Sequence, residues 1–314
     1  MKQNRSVIGI FFFAMAILTF SSCAKEEIRK TFPLSADIFH SIADDQVAFT
    51  ALTHSATSWL WDFGDGLTST EQNPVHIYED GGYFKVVLTA MDSQGGSVAS
   101  EIDIAVKVTP YVLLTGGSTA VNGKTWKLSP NQSPNDKFAN ADADLSTVDG
   151  TPDPLPQGVF DLMLGMGEVY ADEYTFYFDG SYSIDPKADN AVFGGIVYQF
   201  ATTGGAGIVN PNGQDFGLCT GLYAPDAEAT FTYVAAEDLN VPSVYGPGGV
   251  VTYSDVPTLD FSGTSFVGFK DFQSKVFMQD ITDKTMRLVM FMSASPDFAP
   301  LNTHALVLTF DAVD

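Results

Sequence analysis

The sequence predicts an all-β protein in which a small β-sandwich precedes a larger, jelly-roll-like β-sandwich. The 314 residues include 28 Gly and 16 Pro, which favour turns, and 13% of the residues are aromatic. Short segments of alternating apolar and polar residues lie between these turns, and few segments have helical periodicity. With 45% hydrophobic residues, both domains can form a packed core, which excludes a disordered chain.

Residues 1–22 have the organisation of an export signal. Lys2 and Arg5 precede an apolar run over 7–20, which is too short to cross a hydrocarbon core of about 30 Å comfortably. Small residues then precede Cys23. This segment resembles a bacterial lipoprotein signal peptide, and the resemblance implies cleavage before Cys23 and acylation of that residue. The acyl chains would be the only contact with a membrane.

The predicted tether, residues 23–30, begins with Cys23 followed by Ala-Lys-Glu-Glu. This stretch is similar to the surface-export signal of Bacteroidetes lipoproteins, which implies a position at the outer surface of the outer membrane. The alternative is a solvated charged tether without export information. Cys219 is then the remaining cysteine of the folded part, and we predict a buried structural thiol there, since no Cys-His pattern surrounds it.

Residues 31–109 predict the smaller sandwich. Segments 46–51, 58–63, 83–90 and 100–108 have strand character, and Gly64 and Gly66 allow a tight turn. The motifs W-D-F-G-D-G at 61–66 and N-P-x-H-x-Y at 73–78, with the strand Gly82–Leu88, resemble a polycystic-kidney-disease (PKD) domain. The resemblance implies an immunoglobulin-like sandwich that acts as a spacer, with Trp61 in its core. We interpret His76 as a packed residue and not as a metal ligand.

Residues 110–123 are predicted to be a linker, and residues 124–314 form the larger module. Hairpins are predicted over 172–185 and over 275–292, and a final strand over 304–310. Further strands are expected at 229–234, 258–262 and 265–269. The segments 131–157, 186–226 and 236–256 are rich in Gly, Pro and Asn and predict long loops, which often carry function.

The order of these parts is similar to a known group of proteins. A lipoprotein signal, a PKD domain, a G-K-T-W start at 123–126 and a D-E-Y-T-F-x-x-D-G hairpin at 172–180 resemble the PKD-containing surface glycan-binding lipoproteins of Bacteroidetes. Polysaccharide-utilisation loci (Sus-like systems) encode such proteins. The resemblance implies a carbohydrate-binding C-terminal sandwich that captures a polysaccharide, with a TonB-dependent transporter and a SusD-like lipoprotein as partners.

A glycan site needs aromatic rings that stack on the apolar faces of sugars and polar groups that bind hydroxyls. The candidate aromatic residues in the predicted loops are Phe193, Tyr198, Phe216, Tyr223 and Tyr245. Trp126 is also a candidate, although a core position is the preferred interpretation at the start of a strand. Asp189 and Asp226 are the candidate hydroxyl partners.

Metal ions and cofactors receive little support from the sequence. Asp142, Asp144 and Asp149 lie in an acidic loop of the oxygen-rich kind that binds Ca²⁺, but their spacing departs from an EF-hand. A solvated loop is the preferred interpretation, and we predict no cofactor.

The sequence predicts a protein that is not an enzyme. It contains no H-E-x-x-H, G-x-S-x-G or phosphate-loop motif. Two alternatives remain open: a secreted glycoside hydrolase or polysaccharide lyase with a PKD spacer, and a cell-surface adhesion protein.

The charge of the chain limits its ligands. The net charge is −23 at pH 7. Nucleic acid is excluded as a partner, because phosphate backbones are bound by clustered Lys and Arg. Only eight Lys and Arg follow residue 110. Charge therefore favours a neutral β-glucan such as laminarin over a polyuronate such as alginate.

Overall fold

The computed structural model describes residues 32–145 and 153–313. The predicted signal peptide, Cys23, the tether at 23–30 and Asp149 lie outside these residues. Strands dominate the described part, as the sequence predicted. In this part no helix has the length and apolar character needed to cross a membrane.

The N-terminal domain is a two-sheet antiparallel sandwich. One sheet has the order β1-β2-β5 and the other the order β4-β3-β6-β7. The side chains of β6 alternate between core and solvent, so that Phe84, Val86 and Leu88 are buried while Tyr83 and Lys85 are exposed. The seven strands are β1 (Ser35–Ala43), β2 (Gln46–His54), β3 (Ser58–Asp62), β4 (Thr68–Ser69), β5 (Val75–Ile77), β6 (Gly82–Met91) and β7 (Ser97–Val106).

Trp61 lies in the core of this sandwich, as predicted. Its ring is fully buried and packs 5.3 Å from the ring of Phe49 on the opposite sheet. The indole Nε1 donates a hydrogen bond of 3.0 Å to the carbonyl of Glu71. The side chain therefore joins the two sheets and leaves no polar atom unsatisfied.

The segment predicted to be a linker, 110–123, contains the short helix α1 (Pro110–Thr115). Thr109 caps its first turn, and Gly116 closes it with a φ of 84°. Leu114 is buried in the core of the larger module. The helical part of the connection is therefore packed against the second domain, whereas Val121 after it is exposed.

The larger module is built on a long antiparallel sheet with the order β11-β10-β8-β19-β18-β17-β16-β15, and β9 also pairs with β19. The strands β15 to β19 follow one another in chain order. A bridge between Ser181 and Thr230 joins the two ends of this sheet, so the sheet curls around its main core. The strands are β8 (Lys124–Leu128), β9 (Lys137–Asn140), β10 (Glu173–Phe176), β11 (Tyr182–Asp185), β15 (Phe231–Pro242), β16 (Val250–Phe261), β17 (Val276–Ile281), β18 (Thr285–Met292) and β19 (His304–Ala312).

A second, smaller sheet lies between β11 and β15 in the chain and has the order β12-β14-β13. Its strands are β12 (Ala191–Gly195), β13 (Ile208–Asn210) and β14 (Leu218–Leu222), and the helix α2 (Ile196–Thr203) follows β12 directly. Single-turn helices occur at 159–163, 167–170, 187–189, 214–216 and 247–249.

The predicted hairpins at 172–185 and 275–292 are confirmed by the pairing of β10 with β11 and of β17 with β18. All three predicted long loops contain strands, since β9 lies within 131–157. The segment 186–226 contains the whole second sheet, and 236–256 belongs to the hairpin β15–β16, whose outer half carries polar residues on an exposed face. The predicted strand at 265–269 is absent, because Gly268 has a φ of 68° and turns the chain so that Phe266, Val267 and Phe269 are all buried.

Candidate functional site

A cleft of about 240 Å³ lies beside the second sheet of the larger module. It combines aromatic walls with a buried amide and a buried ammonium group. Its lining residues are Val192, Tyr198, Gln199, Thr202, Thr203, Leu222, Tyr223, Ala224, Thr264 and Lys270.

Three separate segments meet to form this cleft. Tyr198 lies in the first turn of α2, and Tyr223 follows β14, where its N–H donates to the carbonyl of Asn190 at 2.9 Å. Lys270 is held against β12: its N–H donates to Phe193, and its carbonyl accepts from Gly195, each at 2.9 Å.

Glycine makes this close approach feasible. A Cβ at Gly194 would lie 2.8 Å from the carbonyl oxygen of Lys270, and one at Gly195 would lie 2.1 Å from Oδ2 of Asp271. The Gly-Gly pair at the end of β12 thus allows the segment that carries Lys270 to join the second sheet.

Lys270 lies at the base of the cleft, and 7% of its surface is exposed. Its Nζ lies 5.5 Å from the ring centroid of Tyr198, 5.7 Å from that of Tyr223 and 5.3 Å from that of Phe266. These distances are within the range of cation–π attraction. The Nζ also donates a hydrogen bond to the carbonyl of Thr264. Burial lowers the pKa of Lys270 to about 8, so the amine remains largely protonated at neutral pH.

Gln199 supplies the amide of the cleft. Its side chain is 97% buried, since its exposed fraction is 3%, and its Oε1 has no hydrogen-bond partner among the described residues. The amide fits between two glycines: a Cβ at Gly221 would lie 2.2 Å from Nε2, and one at Gly207 would lie 2.8 Å from Oε1. A buried carbonyl oxygen without a partner is rare in native proteins and indicates a position where a ligand or water donor binds.

The two tyrosine rings are half-buried and are held by edge-to-face contacts. Tyr198 packs against Phe272 and Tyr223 packs against Phe266, each with ring centroids 5.2 Å apart. Burial raises the pKa of both hydroxyls. The walls are therefore rigid, uncharged aromatic surfaces, which suit the apolar face of a sugar ring.

Asp271 lies next to Lys270 in the chain and does not line the cleft, although its charge acts on Lys270 and Tyr198. Its Oδ1 accepts from the N–H of Phe272 at 2.7 Å, and its Oδ2 faces Gly195. Burial raises the pKa of Asp271 to about 7. The nearby thiol of Cys219 is fully buried, as predicted, and burial raises its pKa to about 12, so it is unreactive at neutral pH.

Of the predicted site residues, Tyr198 and Tyr223 are brought together in this cleft. Asp226 does not line the cleft. It is exposed, its Oδ1 accepts from the N–H of Glu228, and its negative charge adds to the larger effect of burial in raising the pKa of Tyr223. Of the predicted set, the fold therefore assembles the two tyrosines.

The prediction that Trp126 and Phe193 contact a ligand is wrong. Both side chains are almost fully buried, and the indole of Trp126 donates to the carbonyl of Leu114 at 2.9 Å. Phe193 packs between Phe160 and Phe269. Neither ring presents a face to a ligand.

The other predicted residues lie elsewhere. Tyr245 packs against a second core on the outer face of the long sheet. Phe216 is 54% exposed and borders a small apolar cavity that Phe138 and Leu164 also line. Asp189 is exposed in the turn before β12, where its Oδ1 accepts from the N–H of Ala191. None of the three lines the cleft.

The acidic loop has its own structural role in the described part of the chain. Asp142 and Asp144 are exposed, and the carbonyls of Ala141 and Ala143 accept hydrogen bonds of 2.9 and 3.0 Å from the hydroxyl of Tyr253. No group of three or more His, Cys, Asp or Glu side chains over 32–145 and 153–313 is arranged to hold a metal ion.

Lys270 and Gln199 line the cleft but were not among the residues predicted from the sequence. The signal for Lys270 was a single lysine within the aromatic segment 265–272 of a module with few bases. The signal for Gln199 was weaker, because its burial depends on Gly207 in the turn before β13 and on Gly221 in β14. Both residues acquire their place only through contacts between distant segments.

Comparisons with known proteins identify the N-terminal domain. Residues 40–108 match the family described as PKD domain. Collagenase ColQ1 of Bacillus cereus (strain Q1) is 56% identical over 50 residues, which are 16% of this chain and 5% of the collagenase. Collagenase ColA of Bacillus cereus is 33% identical over 100 residues, which are 30% of this chain and 10% of that protein. The chain thus spans a tenth or less of these relatives, and the matches are confined to the PKD region.

Two solved structures overlap with the chain. The PKD1 domain of the Vibrio cholerae metalloprotease PrtV is 30% identical and covers 24% of this chain and 100% of its own, with a TM-score of 0.24. A structure described under carbohydrate-binding modules from the β-sandwich superfamily is 13% identical and covers 91% of this chain and 94% of its own, with a TM-score of 0.25. Neither overlap is close enough to transfer a ligand or a binding site to this chain.

Proposed function

We propose that the chain is a non-catalytic, lipid-anchored surface lipoprotein of the Bacteroidetes type that captures a polysaccharide in the cleft of its larger module. The observation that carries this proposal is the convergence of Tyr198 and Tyr223 with the buried polar groups of Gln199 and Lys270. In the proposed setting, a TonB-dependent transporter and a SusD-like lipoprotein of a Sus-like locus receive the captured glycan.

The chemistry of the cleft supports glycan binding. Tyrosine rings provide apolar surface for a sugar ring, and the threonine hydroxyls at the rim, the amide and the ammonium group provide hydrogen-bond partners. The cleft volume of about 240 Å³ is smaller than the roughly 300–1,000 Å³ typical of sites for drug-sized ligands. It therefore suits one sugar unit or substituent of a longer chain.

The proposed anchoring depends on the N-terminal segment. Cys23 would carry the acyl chains, residues 24–30 would form the tether, and the PKD domain would hold the cleft away from the membrane surface. Metabolic labelling with a fatty-acid analogue tests this part. The label should enter the chain and should be lost in the Cys23→Ala variant.

Affinity electrophoresis of the purified chain against a polysaccharide panel tests capture. Laminarin comes first, since it is the ligand that net charge alone favours, and alginate provides the acidic comparison. The Tyr198→Ala and Tyr223→Ala variants should each weaken retardation about two- to twelvefold, because an aromatic contact contributes roughly 0.5–1.5 kcal/mol. Tyr245→Ala is the matched control and should bind like the wild-type chain.

The same assays separate the alternatives. Release of oligosaccharides during incubation would favour a glycoside hydrolase or lyase with a PKD spacer. Absence of retardation by every glycan would contradict the proposal and favour adhesion to a protein ligand. Equal retardation of the wild-type chain and both tyrosine variants would place glycan binding outside this cleft.

A further inference from the structure

We infer that the cleft selects a glycan with an anionic substituent, a carboxylate or a sulfate ester, and that Lys270 binds this group. The inference rests on the proposed function and adds the class of substrate. It concerns the same cleft, in which the polar base would bind the anion and the aromatic walls would hold the sugar ring.

The ammonium of Lys270 is buried and has no ion-pair partner in direct contact among the described residues; the charge of Asp271 acts on it only from a longer distance. Among the described residues, no carboxylate oxygen lies within 4.0 Å of its Nζ, whereas Lys275 and Lys187 each form such ion pairs. The protein gives Nζ the carbonyl of Thr264 and the faces of aromatic rings. An ammonium has three donors, so donors remain for a ligand.

A desolvated charge without a counter-ion is energetically costly. An incoming anion would offset this cost by forming a charge-assisted hydrogen bond in a partly dehydrated site. A neutral hydroxyl would gain much less from the same position. The neighbouring Asp271 offsets this cost only in part, because none of its oxygens lies within 4.0 Å of Nζ and burial raises its pKa to about 7, so that much of it is uncharged at pH 6.5.

The aromatic walls and Gln199 complete the anion site. Tyr198 and Tyr223 can hold the sugar ring above Nζ, and the unpartnered Oε1 of Gln199 can accept from a hydroxyl of the same unit. The anion of the ligand thus faces a hydrogen-bond donor with a positive charge, Nζ of Lys270, and its hydroxyl faces a hydrogen-bond acceptor, Oε1 of Gln199.

The acidic surface of the chain does not prevent this selection. The net charge of −23 acts over long distances, but the Debye length is about 8 Å at physiological salt. Contact within the cleft is therefore decided by the local ammonium group. This reverses the preference for a neutral glucan that composition alone suggests.

Matched pairs of polymers test the inference. Binding of the full chain to alginate is compared with binding to carboxyl-reduced alginate, and binding to a sulfated galactan is compared with its desulfated form, all at pH 6.5, where Lys270 is protonated. In at least one pair the anionic member should bind roughly tenfold more tightly or better. The pair that discriminates identifies the anion as a carboxylate or a sulfate ester.

Two variants connect the effect to the cleft. Lys270→Met should reduce binding of the anionic polymer to the level of its neutral form. Lys275→Met, which removes a lysine paired with Glu237 at 2.7 Å, should retain the preference. Circular dichroism confirms that both variants fold.

Four outcomes would overturn the inference. If each anionic polymer and its neutral form bind equally, or if Lys270→Met retains the preference, the cleft does not select an anion, while glycan capture still stands. If laminarin binds and neither anionic polymer does, the cleft again does not select an anion, and glycan capture stands. If no polysaccharide binds at all, the proposed function fails together with the inference.

Discussion

Nε2 of His76 and Oδ2 of Asp65 lie 2.6 Å apart, and this contact connects the two most characteristic motifs of the PKD domain. The ring of His76 also stacks on Phe63, with centroids 4.0 Å apart and an interplanar angle of 6°. The hydroxyl of Tyr78 donates to the carbonyl of Phe63 at 3.0 Å. The aspartate, the aromatic residues and the histidine therefore form one packed cluster, in agreement with the interpretation of His76 as a packed residue.

This contact predicts a specific loss of stability. Asp65→Ala should lower the free energy of unfolding by about 1–3 kcal/mol, because it removes the partner of a mostly buried imidazole and the Oδ1 acceptor of the Leu67 N–H. Asp65→Asn retains an acceptor and should cost less. Urea unfolding, monitored by tryptophan fluorescence, measures both changes.

Asp103→Ala is the control for this prediction. Asp103 is exposed on β7, so its replacement should change stability by no more than about 0.5 kcal/mol. Equal stabilities of the Asp65→Ala and Asp103→Ala variants would show that the Asp65–His76 contact contributes nothing.

Much of the fold could be predicted because its signals are local. The alternating burial along β6 and the Asp-Gly turn between β10 and β11 are present in a few consecutive residues. The second sheet was missed because its strands have three to five residues and contain glycines that serve close packing. In sequence, such glycines are indistinguishable from the glycines of a loop.

The candidate site could be predicted only in part. Tyr198 and Tyr223 are aromatic residues in a glycine-rich region. This local pattern is enough to predict them as candidates, because it requires no knowledge of the fold. Phe193 lies in the same region but is buried, because its ring packs between Phe160 and Phe269 in the main core. Lys270 joins the tyrosines through backbone hydrogen bonds to β12, a long-range pairing that has no local signal.

Trp126 is predicted to be a structural residue that holds α1 against β8 in the core of the larger module. Trp126→Ala should destabilise the larger module by about 3–5 kcal/mol, because it empties a fully buried site and removes the hydrogen bond to Leu114. Trp126→Phe should cost less, since it fills most of the volume. Chemical denaturation of the two variants gives the comparison. A loss below about 1 kcal/mol in the alanine variant would contradict the assigned core position.

Asp172 is predicted to make stability depend on pH. Its side chain is buried, its Oδ2 has no partner among the described residues, and burial together with nearby acids raises its pKa to about 8. Between pH 4 and pH 8 the folded chain therefore holds a proton that the unfolded chain releases. Stability should fall as pH rises through this interval, by about 1.4 kcal/mol for each unit of difference in pKa that the native state maintains.

The Asp172→Asn variant tests the source of this dependence. The neutral amide cannot release a proton, so the decline in unfolding free energy between pH 4 and pH 8 should become shallower. A residual decline is expected from Asp271, whose pKa is also raised by burial. Identical pH profiles of the variant and the wild-type chain would show that Asp172 is ionised in the folded state.

Gly221 is predicted to be required for the shape of the cleft. In the Gly221→Ala variant the new Cβ would lie 2.2 Å from Nε2 of Gln199, so the amide must leave its position between Gly207 and Gly221. The open space that Gln199 borders is the cleft, and the displaced side chain should block it. Glycan binding should fall at least as much as in Gln199→Ala, while the melting temperature changes little, because the end of a flexible side chain can move.

The double variant Gly221→Ala/Gln199→Ala no longer contains the obstructing side chain and should recover the affinity of Gln199→Ala. If the double variant binds as weakly as Gly221→Ala alone, the methyl group itself closes the cleft and displacement of Gln199 is not the cause.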